Sequence, residues 1–215
     1  MALNAYITQV QQLLHDLSAS FWTTTQLTNY INLARNRVAQ DSKCLRQLIT
    51  GIPLQQGVES YAIATIQASY APTIAIIDVM GIDVYQASNT RWSLDYMPWT
   101  QFNAVYRSNV STQSTPECYT RMGALQVYFG AIPDQAYLTD WCVAINPAPL
   151  TSDATPEPIP PPFQDCVQFF AAYMAKFQEQ AMGEAAIFEK EYLKWAVRAS
   201  RSFMTRVIPQ PYLSG

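Results

Sequence analysis

A stretch near the N-terminus, Phe21 to Leu48, sets polar side chains in a pattern that could do chemistry. Asparagines, three arginines, one lysine and one aspartate stand among its apolar residues. Groups of these types can hold an anion or move a proton when a fold brings them together. The alternative is that they form the outer face of a helix that docks on another surface.

The rest of the chain offers little for catalysis. His15 is the only histidine, and no plausible nucleophile lies near it in the sequence. Glu189 and Glu191 stand two residues apart on a predicted helix, so their carboxylates point apart and a solvated face is favoured. Glycine-rich phosphate-binding motifs, a G-x-S-x-G motif and an H-E-x-x-H motif do not occur. These features predict that the protein is not an enzyme and uses no cofactor.

The four cysteines do not form a metal-binding or disulfide pattern. Cys44, Cys118, Cys142 and Cys166 are widely separated, with no C-x-x-C pair, whereas a zinc site needs closely spaced ligands. A disulfide framework is typical of shorter chains that are denser in cysteine. We therefore expect four buried, reduced thiols and no metal.

The composition indicates a protein that works with partners. Charged residues make up 13% of the chain, well below the usual quarter of a soluble domain. A surface so poor in charge suggests coverage by partner subunits, and the alternative is an uncharged polar surface with ordinary solubility. The net charge of −3 argues against a dedicated nucleic-acid binder, which needs a basic excess. Because neither a membrane-spanning run nor a signal peptide is recognisable, we expect a cytoplasmic product without membrane contact.

Apolar spacing predicts two antiparallel helices in residues 1–48. The first helix includes Leu17 and ends at residues 18–20, and the second is capped by Thr24 or Thr25. The second helix turns an apolar stripe toward the bundle and leaves its polar side chains on the exposed side. The stripe is Tyr30, Ile31, Ala34 and Val38, and the exposed side is Asn29, Asn32, Arg35, Asn36 and Arg37.

Residues 49–150 consist of short β-branched and aromatic runs separated by Gly, Pro, Asn and Ser. Six such runs, among them "VESYAIATI" at 58–66, predict an antiparallel sheet or small sandwich of about six strands. Hairpins are expected around Ser88–Asn89 and Met122–Gly123. A short helical turn is expected to begin at Pro98.

A proline-rich linker, residues 151–162, leads to two more helices. The first starts at Phe163 and ends at Gly183, a residue type that often follows a helix C-terminus. The last helix runs from Glu184 to Arg206. Two prolines prevent residues 207–215 from continuing the helix, so we expect an extended C-terminal arm.

The predicted fold class is α+β. About four helices from residues 1–48 and 163–206 form a bundle, and residues 49–150 are inserted as an antiparallel β lobe. No repeat of 20–50 residues is evident, which argues against a solenoid.

Several motifs occur in an order that resembles one protein family. "FWTTTQLTNYINLARNRVAQDSKCLRQL" resembles the N-terminal segment of bacteriophage head-to-tail adaptor proteins, with an aromatic-Trp-Thr cap and a Leu…Tyr-Ile-Asn-x-Ala-x-Arg helix. "STPECYTRMGALQVYFGAIPDQAY" resembles their Pro-x-x-Tyr hairpin with its apolar-Pro-Asp turn. "IPPPFQDCVQFFAAYMAKF", a second aromatic helix and a Tyr-containing end follow in the same order. Similar proteins include the tail tubular protein A of short-tailed phages (podoviruses), and the likeness covers nearly the whole chain.

The resemblance implies a structural virion protein of the neck or tail, assembled in the host cytoplasm. Such adaptors usually form a ring of twelve copies between the portal protein and the tail nozzle protein. The ring extends the channel used for DNA ejection, and double-stranded DNA passes without specific binding, in keeping with the acidic balance. The alternative is a virion-decoration module, or a host-surface module that binds glycans through its aromatic β lobe.

Three sets of candidate contact residues accompany this expectation. One set lies on the C-terminal arm and binds the portal, one lies on helices and contacts neighbouring subunits, and one lies on the β lobe and faces the nozzle. The sets are Ile208, Pro209, Pro211, Tyr212 and Leu213 for the portal, Arg35, Arg37, Lys194, Arg198 and Arg201 for the subunit interface, and Trp92, Tyr96 and Trp99 for the nozzle. Catalytic and metal-binding residues are not predicted.

Overall fold

The computed structural model describes residues 2–85, 90–107, 113–123 and 126–203 of the chain. Six helices and ten strands occur among these residues, which confirms the α+β class. The helices are α1 (Leu3–Leu14), α2 (Thr24–Ser42), α3 (Ile63–Tyr70), α4 (Trp99–Val105), α5 (Pro161–Gln178) and α6 (Met182–Phe203). The strands are β1 (Arg46–Leu54), β2 (Ser60–Ala62), β3 (Ala75–Tyr85), β4 (Arg91–Ser93), β5 (Asp95–Tyr96), β6 (Gln113–Ser114), β7 (Cys118–Met122), β8 (Gln126–Gly130), β9 (Ile132–Pro133) and β10 (Tyr137–Asn146).

The four long helices lie together in one unit, the helical unit, formed by the described residues of 1–42 and 149–215. Helix α5 is the shared partner, since it packs on α1, α2 and α6. Its buried face includes three alanines, and small side chains allow close approach of neighbouring helices. The apolar stripe predicted on α2 is buried at Ile31, Ala34 and Val38 and half-buried at Tyr30.

Helix α2 begins with a reciprocal pair of hydrogen bonds at Thr23. The Gln26 backbone N–H donates to Thr23 Oγ1 (3.3 Å), and the Thr23 backbone N–H donates to Gln26 Oε1 (3.1 Å). This is a capping box, which needs a Thr or Ser followed three residues later by Gln or Glu. The predicted cap at Thr24 or Thr25 is therefore wrong, because only Thr23 has a partner of that type at that spacing.

Helix α1 is shorter than the apolar spacing predicts. It ends at Leu14, and His15 adopts a left-handed backbone conformation (φ 56°) that closes the helix. The Asp16 carboxylate then accepts hydrogen bonds from three backbone N–H groups of the following turn. These hydrogen bonds favour the turn over continuation of the helix. The donors are Ser20, Phe21 and Trp22, at 3.0, 3.0 and 2.8 Å. Leu17 consequently lies in the turn with 70% of its surface exposed.

We expect Asp16→Asn to destabilise the fold in a pH-dependent way. Hydrogen bonds from the N–H groups of Trp22 and its neighbours lower the pKa of Asp16, against the opposing effect of burial. A lowered folded-state pKa means that the carboxylate stabilises the fold above its ordinary pKa of about 4. That contribution is lost as the pH falls through the folded-state pKa. Urea midpoints should therefore be lower for Asp16→Asn at pH 7 and converge with those of the unchanged protein on acidification, whereas a pH-independent difference would contradict this origin.

The turn between α5 and α6 differs from the prediction. Gln180, with φ 62°, makes the reversal after α5, and α6 has already begun at Met182. Gly183 therefore lies in the first turn of α6 and does not end α5. The reversal needs one residue with positive φ, and here a non-glycine residue adopts it. The predicted end of α6 at Arg206 lies outside the described residues.

Residues 43–148 form a second unit, the β-rich unit. One four-stranded sheet has the order β1-β10-β3-β4, and a second has the order β2-β8-β7-β5. Apolar side chains of β1, β3, β8 and β10 meet in a shared core that includes Ile52, Ile82, Phe129 and Trp141. The Trp141 indole N–H donates to Thr139 Oγ1 (2.9 Å), so this buried ring also has its polar atom satisfied.

Several elements of the β-rich unit differ from the predicted strands. The run 58–66 forms only the short β2 before α3 begins, because Ile63 and Ile66 are buried at helical i, i+3 spacing. Strand β1 starts at Arg46, inside the region predicted as helix. The pairs β5–β7 and β6–β9 are parallel, whereas an entirely antiparallel lobe was expected.

Two local predictions for this unit are confirmed. Strands β7 and β8 pair antiparallel as a hairpin, with Met122 opposite Gln126 and Gly123 at φ 64°. Pro98 precedes α4 directly, as expected from its preference for the first positions of a helix. The hairpin predicted at Ser88–Asn89 lies outside the described residues.

Candidate assembly surfaces

Arg35, predicted to be exposed at a subunit interface, is buried inside the helical unit. Its exposed fraction is 1%, and so is that of the Glu157 side chain. Arg35 Nε donates to Glu157 Oε2 (2.9 Å), the second guanidinium nitrogen reaches Oε1 (3.1 Å), and the third donates to Asn32 Oδ1 (3.0 Å). Burial, and then the neighbouring Glu157 carboxylate, raise the pKa of the adjacent Tyr6 hydroxyl. The prediction of exposure is wrong, because a partner 122 residues away satisfies this arginine.

The same cluster holds most of the segment that was predicted to be a linker. We call residues 149–160 the proline-rich strap. The Asn32 amide makes a two-way contact with the Leu150 backbone, donating to its carbonyl (3.1 Å) and accepting from its N–H (2.8 Å). Glu157 also accepts the Ile159 N–H (3.0 Å), and Leu150 and Ile159 are buried. The strap is therefore part of the helical unit, and the sequence sign of this contact was an acidic residue, Glu157, between two prolines.

Arg37 lies on the surface and belongs to a network that joins α2 to α6. Its Nε donates to Asp41 Oδ2 (2.9 Å), four residues along α2, and the arginine side chain is 54% exposed. The Tyr192 hydroxyl of α6 donates to the same carboxylate oxygen (2.7 Å). Burial raises the pKa of Tyr192, and the adjacent Asp41 carboxylate raises it further. The tyrosine therefore stays protonated and remains a hydrogen-bond donor at neutral pH.

The other three predicted interface residues lie on the exposed side of α6. Lys194 pairs with Glu191 of the same helix (2.9 Å), and the Arg198 guanidinium lies over the Trp195 ring at 5.4 Å from its centre. Arg201 lies at the rim of a groove described next. Exposed pairs of this kind add little stability, so these side chains can be recruited by another surface at small cost.

An open apolar groove lies between α2 and the C-terminal half of α6. We call it the α2–α6 groove; its volume is about 510 Å³. Leu193 and Val197 of α6 form one wall and are 55% and 50% exposed. The remaining lining residues are Val38, Asp41 and Ser42 of α2, Phe163 of α5, and Tyr192, Ala196, Ser200 and Arg201 of α6. Ile187, nearer the start of α6, is also 62% exposed but does not line the groove.

Of the three predicted nozzle-facing aromatics, Tyr96 is exposed and the two tryptophans are half-buried. Tyr96 is 52% exposed and stacks edge-on against Tyr119, with the Arg121 guanidinium above its ring. Trp99, at the start of α4, is half-buried and shares the Arg107 guanidinium with a neighbouring tyrosine ring.

Trp92 has a mainly internal role. Its indole N–H donates to the Pro116 carbonyl (3.0 Å), and its ring meets Tyr137 edge-to-face at 5.8 Å. A tryptophan that is held by both its polar atom and its ring face offers less to a partner than Tyr96 does.

Two buried carboxylates of the β-rich unit are structural. Asp78 pairs with Lys43 and Arg121. Asp140 pairs with Arg91 and accepts the Gly51 N–H (3.1 Å). Each carboxylate has a cation beside it, so its charge is balanced within the β-rich unit.

The structure also describes the four cysteines, whose thiols were predicted to be buried. Cys44, Cys118 and Cys166 are buried, whereas Cys142 is only half-buried, so the expectation of four buried thiols is wrong at that position. Burial raises the pKa of the Cys118 thiol, which keeps it protonated and slow to react.

Among the residues with a described position, no cluster of three metal-binding side chains occurs. Nor is any described helix both long and apolar enough to span a bilayer.

Comparison with known proteins gives one decisive match. The model of the SU10 adaptor protein family matches residues 1–208, nearly the whole chain. The chain belongs to the SU10 adaptor protein family. No curated protein matches it. Membership agrees with the phage-adaptor resemblance of the sequence and indicates that this SU10 adaptor protein is a structural phage component that acts together with other virion proteins. The residues predicted to bind the portal, 208–213, lie outside the described part of this SU10 adaptor protein.

Proposed function

We propose that this SU10 adaptor protein is a head-to-tail adaptor that forms a ring, of twelve copies, between the portal and the tail nozzle of a short-tailed phage. The family match over residues 1–208 carries the proposal. The ring extends the DNA channel in the neck of the virion, and the net charge of −3 lets DNA pass during ejection without being held. The proposal includes a similarity between this chain and the tail tubular protein A of short-tailed phages.

In this proposal the four long helices form the bundle domain, and the β-rich unit is the lobe inserted into it. The order of elements supports the arrangement, since α1 and α2 precede the strands and α5 and α6 follow them. Residues 207–215 form the arm, with Ile208, Pro209, Pro211, Tyr212 and Leu213 as the portal contacts.

The subunit contacts come from surface residues of α2 and α6. Arg37, Lys194, Arg198 and Arg201 have side chains available to a neighbouring copy, as their exposure or rim position indicates. Arg35 no longer belongs to this set, because its guanidinium is buried in an ion pair within the chain.

The nozzle-facing surface is on the β-rich unit. Tyr96 is its exposed aromatic, and the half-buried Trp92 and Trp99 complete the set. Accessible aromatic and arginine side chains are the types enriched at protein interfaces.

Mixing the protein with its portal tests the proposal. We expect electron microscopy to show rings of twelve copies on the portal, and we expect deletion of residues 207–215 to abolish portal binding in a pull-down. The far-ultraviolet circular dichroism spectrum of the deleted chain should match that of the full chain, which controls for folding. Unchanged portal binding would contradict the arm, and trimers or glycan binding would favour the decoration or host-surface alternative.

A further inference from the structure

The α2–α6 groove is an apolar surface that the described residues leave open. Leu193 and Val197 expose about half of their surface there, although Tyr192 beside them is 2% exposed. We propose that this groove is the seat of the chain's own C-terminal segment, residues 207–213, in the unassembled protein.

The connection of the chain brings that segment to the groove. The groove follows α6 from Tyr192 to Arg201, and the described part of α6 ends two residues later, at Phe203. The described part of α6 therefore ends close to Ser200 and Arg201, the last lining residues of the groove. Only residues 204–206 separate α6 from the proposed occupant.

The chemistry of the segment matches the groove walls. Residues 207–213 read "VIPQPYL" and contain no charged side chain. The groove wall is likewise mainly aliphatic and aromatic, and its one carboxylate, Asp41, is already held by Arg37 and Tyr192. Arg201 is the other charged lining residue, and it is exposed, so an uncharged, apolar segment can enter the groove while this guanidinium keeps its water.

The length of the segment also fits. Residues 192–201 of a helix span about 14 Å. A proline-containing segment favours an extended conformation with a rise of about 3.1 Å per residue, and seven residues at that rise would reach about 20 Å. A groove of about 510 Å³ lies in the size range that binds a few anchoring side chains.

Tethering favours occupancy even when the contact is weak. A short tether gives an effective concentration in the millimolar range, so a site of roughly millimolar affinity is substantially filled. Weak docking is also reversible, so the apolar side chains of the segment are covered before assembly and can be released to a stronger site. The proposal concerns the isolated chain and does not depend on whether the portal is the later partner.

Photo-cross-linking of the full-length protein tests the proposal. We would place a photoreactive residue in the segment by Tyr212→p-benzoylphenylalanine and map the cross-links by mass spectrometry on monomeric protein without a portal. We expect cross-links within one polypeptide to residues 193–201 of α6 or 38–42 of α2. Val197→Asp should reduce their yield about tenfold, because it places a charge in the apolar wall.

Ile187→Asp is the matched control, since Ile187 is an exposed apolar residue of α6 that does not line the groove. It should leave the cross-link yield unchanged. Cross-links between two copies would overturn the proposal in favour of a second copy as occupant. Cross-links elsewhere in the chain, or equal yields in both aspartate variants, would overturn it as well.

Discussion

Arg35→Ala should lower the free energy of unfolding by about 3–5 kcal/mol, the usual cost of leaving one partner of a buried ion pair alone. Both side chains of the pair are 1% exposed, so the Glu157 carboxylate cannot recover its hydration once the guanidinium is gone. The loss also removes the hydrogen bond to Asn32, which holds the strap at Leu150. Chemical unfolding followed by tryptophan fluorescence measures the change.

Arg37→Ala is the matched control for this prediction. It removes the same side chain two residues away on α2, but its ion pair with Asp41 is exposed and spaced i, i+4. We expect a change of less than about 1 kcal/mol. Equal losses for the two variants would contradict a special role of the buried pair.

A double variant tests whether the charges of the buried pair or the volume of its side chains stabilises the fold. Arg35→Met with Glu157→Leu replaces both charges by apolar groups, which is often neutral or stabilising for a buried pair. We expect it to recover most of the loss caused by Arg35→Ala. Ring assembly that fails in Arg35→Ala but returns in the double variant would show that Arg35 acts on assembly through the fold of its own subunit.

Gly130→Ala should destabilise the β-rich unit by about 1–3 kcal/mol, the range for overpacking a filled interior. A Cβ at this position would lie 2.8 Å from ring atoms of both Phe102 and Tyr106. Phe102 is fully buried, so its ring has little room to move. The close contact of the added Cβ with these rings can therefore be relieved only by a shift of α4 away from β8. Helix α4 carries Trp99 of the proposed nozzle-facing surface.

Gly183→Ala provides the comparison, because among the described residues no atom outside the adjacent helix backbone lies within 4 Å of a Cβ built there. In the first turn of α6 it should be neutral or stabilising by up to about 1 kcal/mol, since alanine favours helix more than glycine does. A thermal or urea midpoint that falls equally in both variants would contradict the close contact at Gly130.

Much of the secondary structure was predictable because its causes are local. The spacing of Ile31, Ala34 and Val38 marks the buried face of α2, and a helix places such residues together whatever surrounds it. The β7–β8 hairpin is equally local, since Gly123 supplies the positive φ that its turn requires. Errors occur where two local preferences compete, as at residues 58–66, where burial of Ile63 and Ile66 decides for helix.

The candidate surfaces were predicted less well, and Arg35 shows why. Periodicity places it beside the apolar stripe of α2, a position that suits either an exposed cation or a buried one. Its partner is Glu157, and sequence spacing carries no information about a contact across 122 residues. The exposed wall of the α2–α6 groove was missed for the same reason. Leu193 and Val197 are apolar, but no helix within the described residues covers them, and sequence spacing does not show this.

The sequence by itself determined that this is an α+β protein without the motifs of an enzyme, and the order of its motifs identified the phage-adaptor resemblance. Those properties depend on residue types and short-range spacing. Only the tertiary structure decided that Asn32, Arg35 and Glu157 lock the proline-rich strap onto α2 and that one side of α6 remains open as a groove. Both depend on which distant segments meet, and that is set by packing of the whole helical unit.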